Sequence, residues 1–506
     1  MKSLRFCLKS LICFIGLIIF FSCSNEEYTD PQVVEDNTLV FDAFILEKKN
    51  NPHLSEDIVF EIKNNTIQGG LKTYFFNLIP TFSTNAKTVE IENLEQVSSR
   101  SRVDFRKPIK YILKSESGGV KAYTVHISWD DQLAHIYIET EAGLPIISKE
   151  EYLNAKLTID GQSKYEDRTI EFSQKARIKG RGNSSWNWPK KPYKIKLDTK
   201  ETLLYDKDPL TRLLPEKDWV LLSDYQDGVH LLNSIAFTIG RMLEMPFTNT
   251  IIPVEVTLNG DYLGLYGLTE QVEVKTNRVN VGETGLLLEL DQYFDEEWQF
   301  RSASYDLPVM IKDPELNSQV ELDLIQSEWN AFEALVMDKD FPDNNYLDYV
   351  DIESIAKYFI VGMLTSNEEI NHPKSTYIYK EMGGKYAMGP LWDFDWAYGY
   401  EGTFQHFNNP NKDLFWTDAK KGTTFFKRLM LSDPKIKSLV RVFWTDFLTF
   451  HFDNLMTYID DYSFIIRGAK ARNLKLWNRD LVIDERIMKH WMENRVSYMN
   501  SLINNF

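Results

Sequence analysis

The spacing of hydrophobic residues changes along this 506-residue chain, and that change limits the fold more than any single motif does. Up to about residue 129 the pattern is that of short strands. Tyr123, Val125 and Ile127 alternate with Thr124, His126 and Ser128, which predicts a strand with one buried face and puts His126 on the solvent side. The runs 58–62 and 88–91 are also strand-like, and Ser115-Glu116-Ser117-Gly118-Gly119 supplies a turn. Several short strands close together predict an immunoglobulin-like β-sandwich over 38–130. Nothing in that stretch gathers catalytic side chains, so it reads as a spacer or interaction module.

Beyond about residue 131 strands and helices mix. Short strands are expected at 136–138, 177–179 and 193–197. Leu231, Ile235, Ile239 and Met242 recur at helical spacing and predict a helix over 230–243. The stretches 253–258 and 262–269 flank Asn259-Gly260 and predict a hairpin. Residues 318–337 and 352–364 read as helices, and 376–379 as a strand. From about residue 420 onward the pattern is helical and rich in Phe, Trp and Leu. The expected fold class is α+β, with the sandwich followed by a second domain over 133–506 whose C-terminal part is helical.

Composition narrows the function. Hydrophobic residues make up 43% of the chain and aromatic residues 13%, enough for a large core. The formal net charge of −17 argues against a general nucleic-acid coat, because phosphate contacts need a basic face. Three cysteines rule out a disulfide-stapled scaffold. The absence of H-E-x-x-H speaks against a zinc site, and the absence of G-x-S-x-G against an α/β-hydrolase.

The first residues predict an address. Lys2, Arg5 and Lys9 precede an apolar run over 11–21. That run is too short to span a bilayer, which takes about 20 residues, and it has the proportions of a secretory signal. Ser22-Cys23 follows and resembles a bacterial lipobox, so 1–22 reads as a lipoprotein signal peptide and Cys23 as the lipidation site. No cysteine occurs after Cys23. The acids Glu26 and Glu27 resemble the surface-export signal of Bacteroidetes lipoproteins. The implied location is the outer membrane, cell-surface exposed or facing the periplasm, with a lipid anchor holding the protein to the membrane. Residues 23–37 read as a tether.

Three stretches carry candidate chemistry. Eight cations fall between Lys175 and Lys196, in a chain that is otherwise acidic. Within that stretch, Gly180 and Gly182 let the backbone approach a ligand, and Asn183, Ser184 and Ser185 add neutral donors. The combination suits a phosphate. A solvated strand edge protected by lysines fits the pattern equally well. The second stretch is Leu391-Trp392-Asp393-Phe394-Asp395-Trp396, with two carboxylates at i and i+2 among aromatic residues. Paired acids in apolar company need a cation or hydrogen bonds, and Mg²⁺ with a phosphate substrate is one solution. An Asx turn or helix cap is the other reading. The third stretch, Asn367-Glu368-Glu369-Ile370-Asn371-His372-Pro373-Lys374-Ser375, is a loop able to position a hydroxyl or a metal.

These stretches together resemble the CotH (spore-coat protein H) kinase family. The resemblance rests on Arg-Gly-Asn-Ser-Ser-Trp at 181–186 and Lys-Lys-Pro-Tyr-Lys-Ile-Lys-Leu-Asp at 190–198. The Asn259-Gly260-Asp261-Tyr262-Leu263-Gly264-Leu265-Tyr266 hairpin, Lys374-Ser375-Thr376-Tyr377, Gly389-Pro390 and Trp392-Asp393-Phe394-Asp395 follow in order. It implies a divergent protein-kinase-like fold and transfer of phosphate from ATP, with Mg²⁺ or Mn²⁺, to Ser or Thr of a protein substrate. By resemblance Arg181, Asn183, Ser184, Lys191 and Lys196 would bind the nucleotide. Asp393 and Asp395 would hold the metal, and Glu369 and Asp393 would be catalytic. Glu369 departs from the family pattern, which has Asp there. Glutamate is one methylene longer, and a misplacement of about 1 Å costs on the order of 10²-fold in rate. A surface binding or adhesion module on the same fold is therefore the alternative. A glycosidase using Glu369 and Asp393 is a third reading that leaves the basic stretch unexplained.

Overall fold

The computed structural model describes residues 34–162, 164–165, 168–204, 214–402, 405–417, 420–479 and 484–506. The signal read over 1–22, Cys23 and most of the tether lie outside the described residues. The chain is α+β, and its described part contains seven α-helices. Among the described residues no helix is long and apolar enough to cross a membrane. The described residues form two compact units, one from 34–69 together with 78–126, the other from 70–77 and the described part of 127–506.

The first unit is built on two sheets. One has three strands in the order Ile58–Val59, Phe41–Leu46, Thr81–Thr84. The other has six, in the order Glu61–Lys63, Thr66–Leu71, Val120–Trp129, Ile109–Lys114, Thr88–Ile91, Leu94–Glu95. In Val120–Trp129 the alternation is realised, with Tyr123, Val125 and Ile127 buried and Thr124, His126 and Ser128 exposed. Aromatic rings fill the interior edge to face, as in Phe41–Tyr123 at 5.2 Å and Phe44–Phe60 at 5.5 Å.

The second unit begins with a closed barrel of seven strands. Their order is Ala134–Thr140, Leu153–Asp160, Ser173–Gly180, Tyr193–Glu201, Glu216–Leu222, Asp261–Glu270, Ile251–Leu258. A parallel pairing of Ala134–Thr140 with Ile251–Leu258 closes it. Alternate residues fill the interior, among them Ile136, Ile159, Ile178, Ile195, Trp219, Val254 and Leu268. The expected Asn259-Gly260 hairpin forms, with Gly260 at φ +89°. The barrel is interrupted by helix α1 (Leu232–Met242), which starts later than its hydrophobic period predicts. Asp227 sets that start: its two carboxylate oxygens accept the backbone N–H groups of Val229, His230, Leu231 and Leu232.

A five-stranded sheet follows, ordered Gln299–Arg301, Pro308–Asp313, Leu286–Leu290, Thr376–Lys380, Ala387–Met388. The remaining helices are α2 (Gln319–Met337), α3 (Ile352–Thr365), α4 (Lys421–Ser432), α5 (Pro434–Phe450), α6 (Phe452–Leu476) and α7 (Glu485–Ile503); α3 packs on strand Ala387–Met388 and α6 on barrel strand Asp261–Glu270. Local chemistry sets several helix starts. Ser318, Asp351, Asp433 and Asp484 cap α2, α3, α5 and α7 through side-chain oxygens. One apolar core, including Trp329, Phe359, Trp444 and Met492, runs under the sheet and the helices. The antiparallel pairing of Thr376–Lys380 with Ala387–Met388 returns the chain, so that the 369–375 loop and the 393–395 segment lie side by side.

Candidate active site

A cleft of about 480 Å³ opens in the second unit between the end of barrel strand Ser173–Gly180, the start of α1 and the five-stranded sheet. Its size suits a nucleotide-sized ligand. Its lining brings together residues from distant stretches: Lys179, Arg181, Asn183 and Ser184, then Asp224 and Asn233, then Glu289 and Asp291, and finally Lys374, Ser375, Asp393 and Asp395.

The 181–185 loop enters the cleft because two glycines permit its path. Gly182 sits at φ +79°, and a Cβ there would lie 2.0 Å from Ser185 Oγ. A Cβ on Gly180 would strike the Trp186 ring at 2.3 Å. Arg181 lies with its guanidinium 5.1 Å from the Trp392 ring centre. Burial pulls its pKa below the usual value, while Tyr377 and the carboxylates of Asp393, Glu289 and Asp395 oppose that. Asn183 accepts from Lys149 Nζ at 3.1 Å and donates to Asp295 at 3.2 Å, which pins the loop tip.

The acidic wall is short of donors. Asn233 Nδ2 lies 3.4 Å from both Asp224 Oδ1 and Asp395 Oδ1, and Asn233 Oδ1 accepts the N–H of Phe394. Burial, reinforced by Asp393 and Asp224, holds the Asp395 carboxyl well above the usual carboxylate range. Asp224 is pushed up to about 7 by burial and by Asp227. Asp393 stands at φ +60°, a backbone state uncommon outside glycine, and its Oδ2 faces Ser375 Oγ at 3.4 Å. Asp291 accepts the N–H groups of Ser375 at 3.0 Å and Tyr293 at 2.8 Å. Among the described residues no three His, Cys, Asp or Glu side chains are already gathered as a ligand shell. The donor set nevertheless fits a divalent ion that draws further ligands from phosphate, since Mg²⁺ is commonly held by one or two carboxylates plus substrate oxygens. Crowded carboxylates sharing one amide gain from a cation between them.

The other candidates lie elsewhere. Lys191 turns away from the cleft and donates to the backbone oxygen of Trp186 at 2.6 Å, bracing the loop from behind. Lys196 stays on the outer face of the barrel, opposite Arg177 and Asp218 in the neighbouring strands. Period-2 alternation cannot tell which cation of a strand lies at its cleft end, and here Lys179 does. Glu369, on the 3₁₀ turn Glu368–Asn371, is 2% exposed and stands behind Lys374 rather than in the lining. The residues that motif reading passed over are Asp224, Asn233, Glu289, Asp291 and Lys312. A charge inside the apolar run 286–290 was the visible signal for Glu289. In the fold it pairs with Lys312 at 3.2 Å.

A glycine-shaped cationic loop thus faces paired aspartates across one cleft. The CotH kinase protein family model matches residues 178–499, more than half of the chain, and the chain belongs to that family. The matched span contains most of the cleft lining, from Lys179 to Asp395. No curated protein matches the chain.

Proposed function

We propose that this protein is an exported lipoprotein of Bacteroidetes type, anchored through Cys23 to the outer membrane, whose divergent protein-kinase-like domain transfers phosphate from ATP to Ser or Thr of a protein. The N-terminal unit is read as an immunoglobulin-like module that presents this domain or recruits a partner. One observation carries the phosphotransfer reading: Arg181, from the basic stretch, and Asp393 and Asp395, from the acidic stretch, line one cleft. Asp393 and Asp395 would hold Mg²⁺ or Mn²⁺, which when bound neutralises charge on the phosphates. Arg181 and Lys374 supply fixed positive charge toward the phosphate oxygens, and Asn183 and Ser184 offer neutral donors. Trp392, 8% exposed under the Arg181 guanidinium, keeps water from that side of the cation.

Calorimetry with ATP and Mg²⁺ or Mn²⁺, followed by label transfer to a generic protein substrate, tests the reading. Saturable metal-dependent binding and transfer, both lost in Asp393→Ala, are the expected results. Absence of nucleotide binding with either metal would sink it. Metabolic labelling with a fatty acid, lost in Cys23→Ser, tests the anchor. A second reading has a specific observation behind it. Glu369 is buried and bonded to Lys374, not open to a substrate hydroxyl. Under that reading the domain binds nucleotide, or a surface partner, without transfer. Binding without label transfer is its distinguishing result.

A further inference from the structure

The 369–374 loop holds an ion pair for which a phosphotransfer site of the usual kind has no use. Protein kinases carry an Asp in this loop that handles the substrate hydroxyl, and an Asn five residues later that helps hold a second Mg²⁺. In this chain the same spacing reads Glu369 and Lys374. Both differ, and they are bonded to one another: Lys374 Nζ lies 3.1 Å from Glu369 Oε1. Glu369 is 2% exposed and absent from the cleft wall, whereas Lys374 is in it. The ammonium is held further by the faces of Trp396 at 4.7 Å and Tyr293 at 5.4 Å. The next residue, Ser375, reaches Asp393 Oδ2 at 3.4 Å, so the charge sits beside the aspartate expected to hold the metal.

An asparagine carbonyl can ligate a cation. An ammonium has donors only and repels one. At the spacing where the general kinase pattern offers a metal ligand, this loop therefore offers a positive charge. We propose that Lys374, locked by Glu369, is a resident cation replacing one divalent ion, so that the cleft takes a nucleoside triphosphate with a single Mg²⁺ or Mn²⁺ held by Asp393 and Asp395. This rests on the nucleotide reading given above and specifies its metal count.

The test counts ions rather than turnover. The full chain is saturated with a non-hydrolysable ATP analogue and titrated with Mn²⁺, and the loss of the free-ion electron paramagnetic resonance signal gives the number bound per chain. One Mn²⁺ per bound nucleotide is expected. Two per bound nucleotide overturns the proposal while leaving the nucleotide reading intact, and no nucleotide binding at all overturns both. The double variant Glu369→Asp with Lys374→Asn is expected to rise from one Mn²⁺ to two. A folded, nucleotide-binding double variant that stays at one removes Lys374 as the cause. Lys374→Met is expected to weaken the Mn²⁺–nucleotide complex about tenfold, the loss of one charge-assisted contact, and unchanged affinity would count against a resident cation. The wild-type count needs no variant to fold.

Discussion

Asp227 and Asp395 are near enough for each other's charge to matter, yet their surroundings are opposite. Asp227 is 1% exposed and fully supplied, taking four backbone N–H groups at 2.7–2.9 Å from the segment that leads into α1 and from its first residue, Leu232. Asp395 shares one side-chain amide with Asp224 at 3.4 Å and faces Asp393 as well. A saturated buried carboxylate organises the fold, because its charge is met by donors that folding brings together. An undersupplied one is costly, and a site that keeps three of them together is prepared for a cation. Glu333 repeats the first case elsewhere in the unit. It is fully buried and accepts from Ser302 Oγ, the N–H groups of Ser304 and Tyr305, and Trp329 Nε1.

That contrast can be broken by substitutions at its two ends. The largest effect is expected at Asp393. Asp393→Ala removes the carboxylate facing Ser375, and label transfer from ATP falls by on the order of 10³-fold, or about 4 kcal/mol of transition-state stabilisation. Circular dichroism of the variant stays that of the folded chain. Next comes Asp227→Asn, which leaves the donors at the start of α1 poorly matched. Chemical denaturation is expected to show a loss of about 2 kcal/mol. A smaller effect of opposite sign is expected at Asp395. Asp395→Asn relieves repulsion in the metal-free protein and raises stability by about 1 kcal/mol. Equal destabilisation by the Asp227 and Asp395 variants would erase the distinction between the two carboxylates.

The smallest effect concerns a carboxylate that is undersupplied but outside the cleft. Among the described residues Glu273 Oε1 has no hydrogen-bond partner, and burial, with Asp218 nearby, pushes its carboxyl up to about 7. The folded state then retains a proton that the unfolded chain releases between about pH 4.5 and 7. Stability from this group is therefore lost as pH rises through that window. Glu273→Gln is expected to match the parent near pH 5 and exceed it by about 1 kcal/mol at pH 8, allowing for partial solvent screening. Denaturation midpoints at the two pH values check this, and a constant difference would assign the effect to packing instead.

Much of the local structure was legible in residue order. The Asn259-Gly260 turn, the alternation over 123–128 and the helical period of 231–242 each act within a few residues. The caps at Ser318, Asp351 and Asp433 are as local, but they were identified only in the structure. The basic and acidic stretches also stood out, because a charge among apolar neighbours is conspicuous in any order. The barrel was not legible. Its closure pairs Ala134–Thr140 with Ile251–Leu258, more than a hundred residues away, and strand pairing at that distance leaves no local mark.

Within the site the same division holds. The sequence by itself determined which groups were available: cations around Gly180 and Gly182, two aspartates set two apart, and a Glu and a Lys five apart in one loop. Only the tertiary structure decided which of them meet. It turned Lys191 and Lys196 outward, brought Lys179 and Arg181 inward, added Asp224, Asn233 and Asp291 from unremarkable stretches, and set Lys374 in front of Glu369. The reason is physical. Residue type and short spacing set what a side chain can do, whereas the direction it faces depends on packing between segments far apart in the chain.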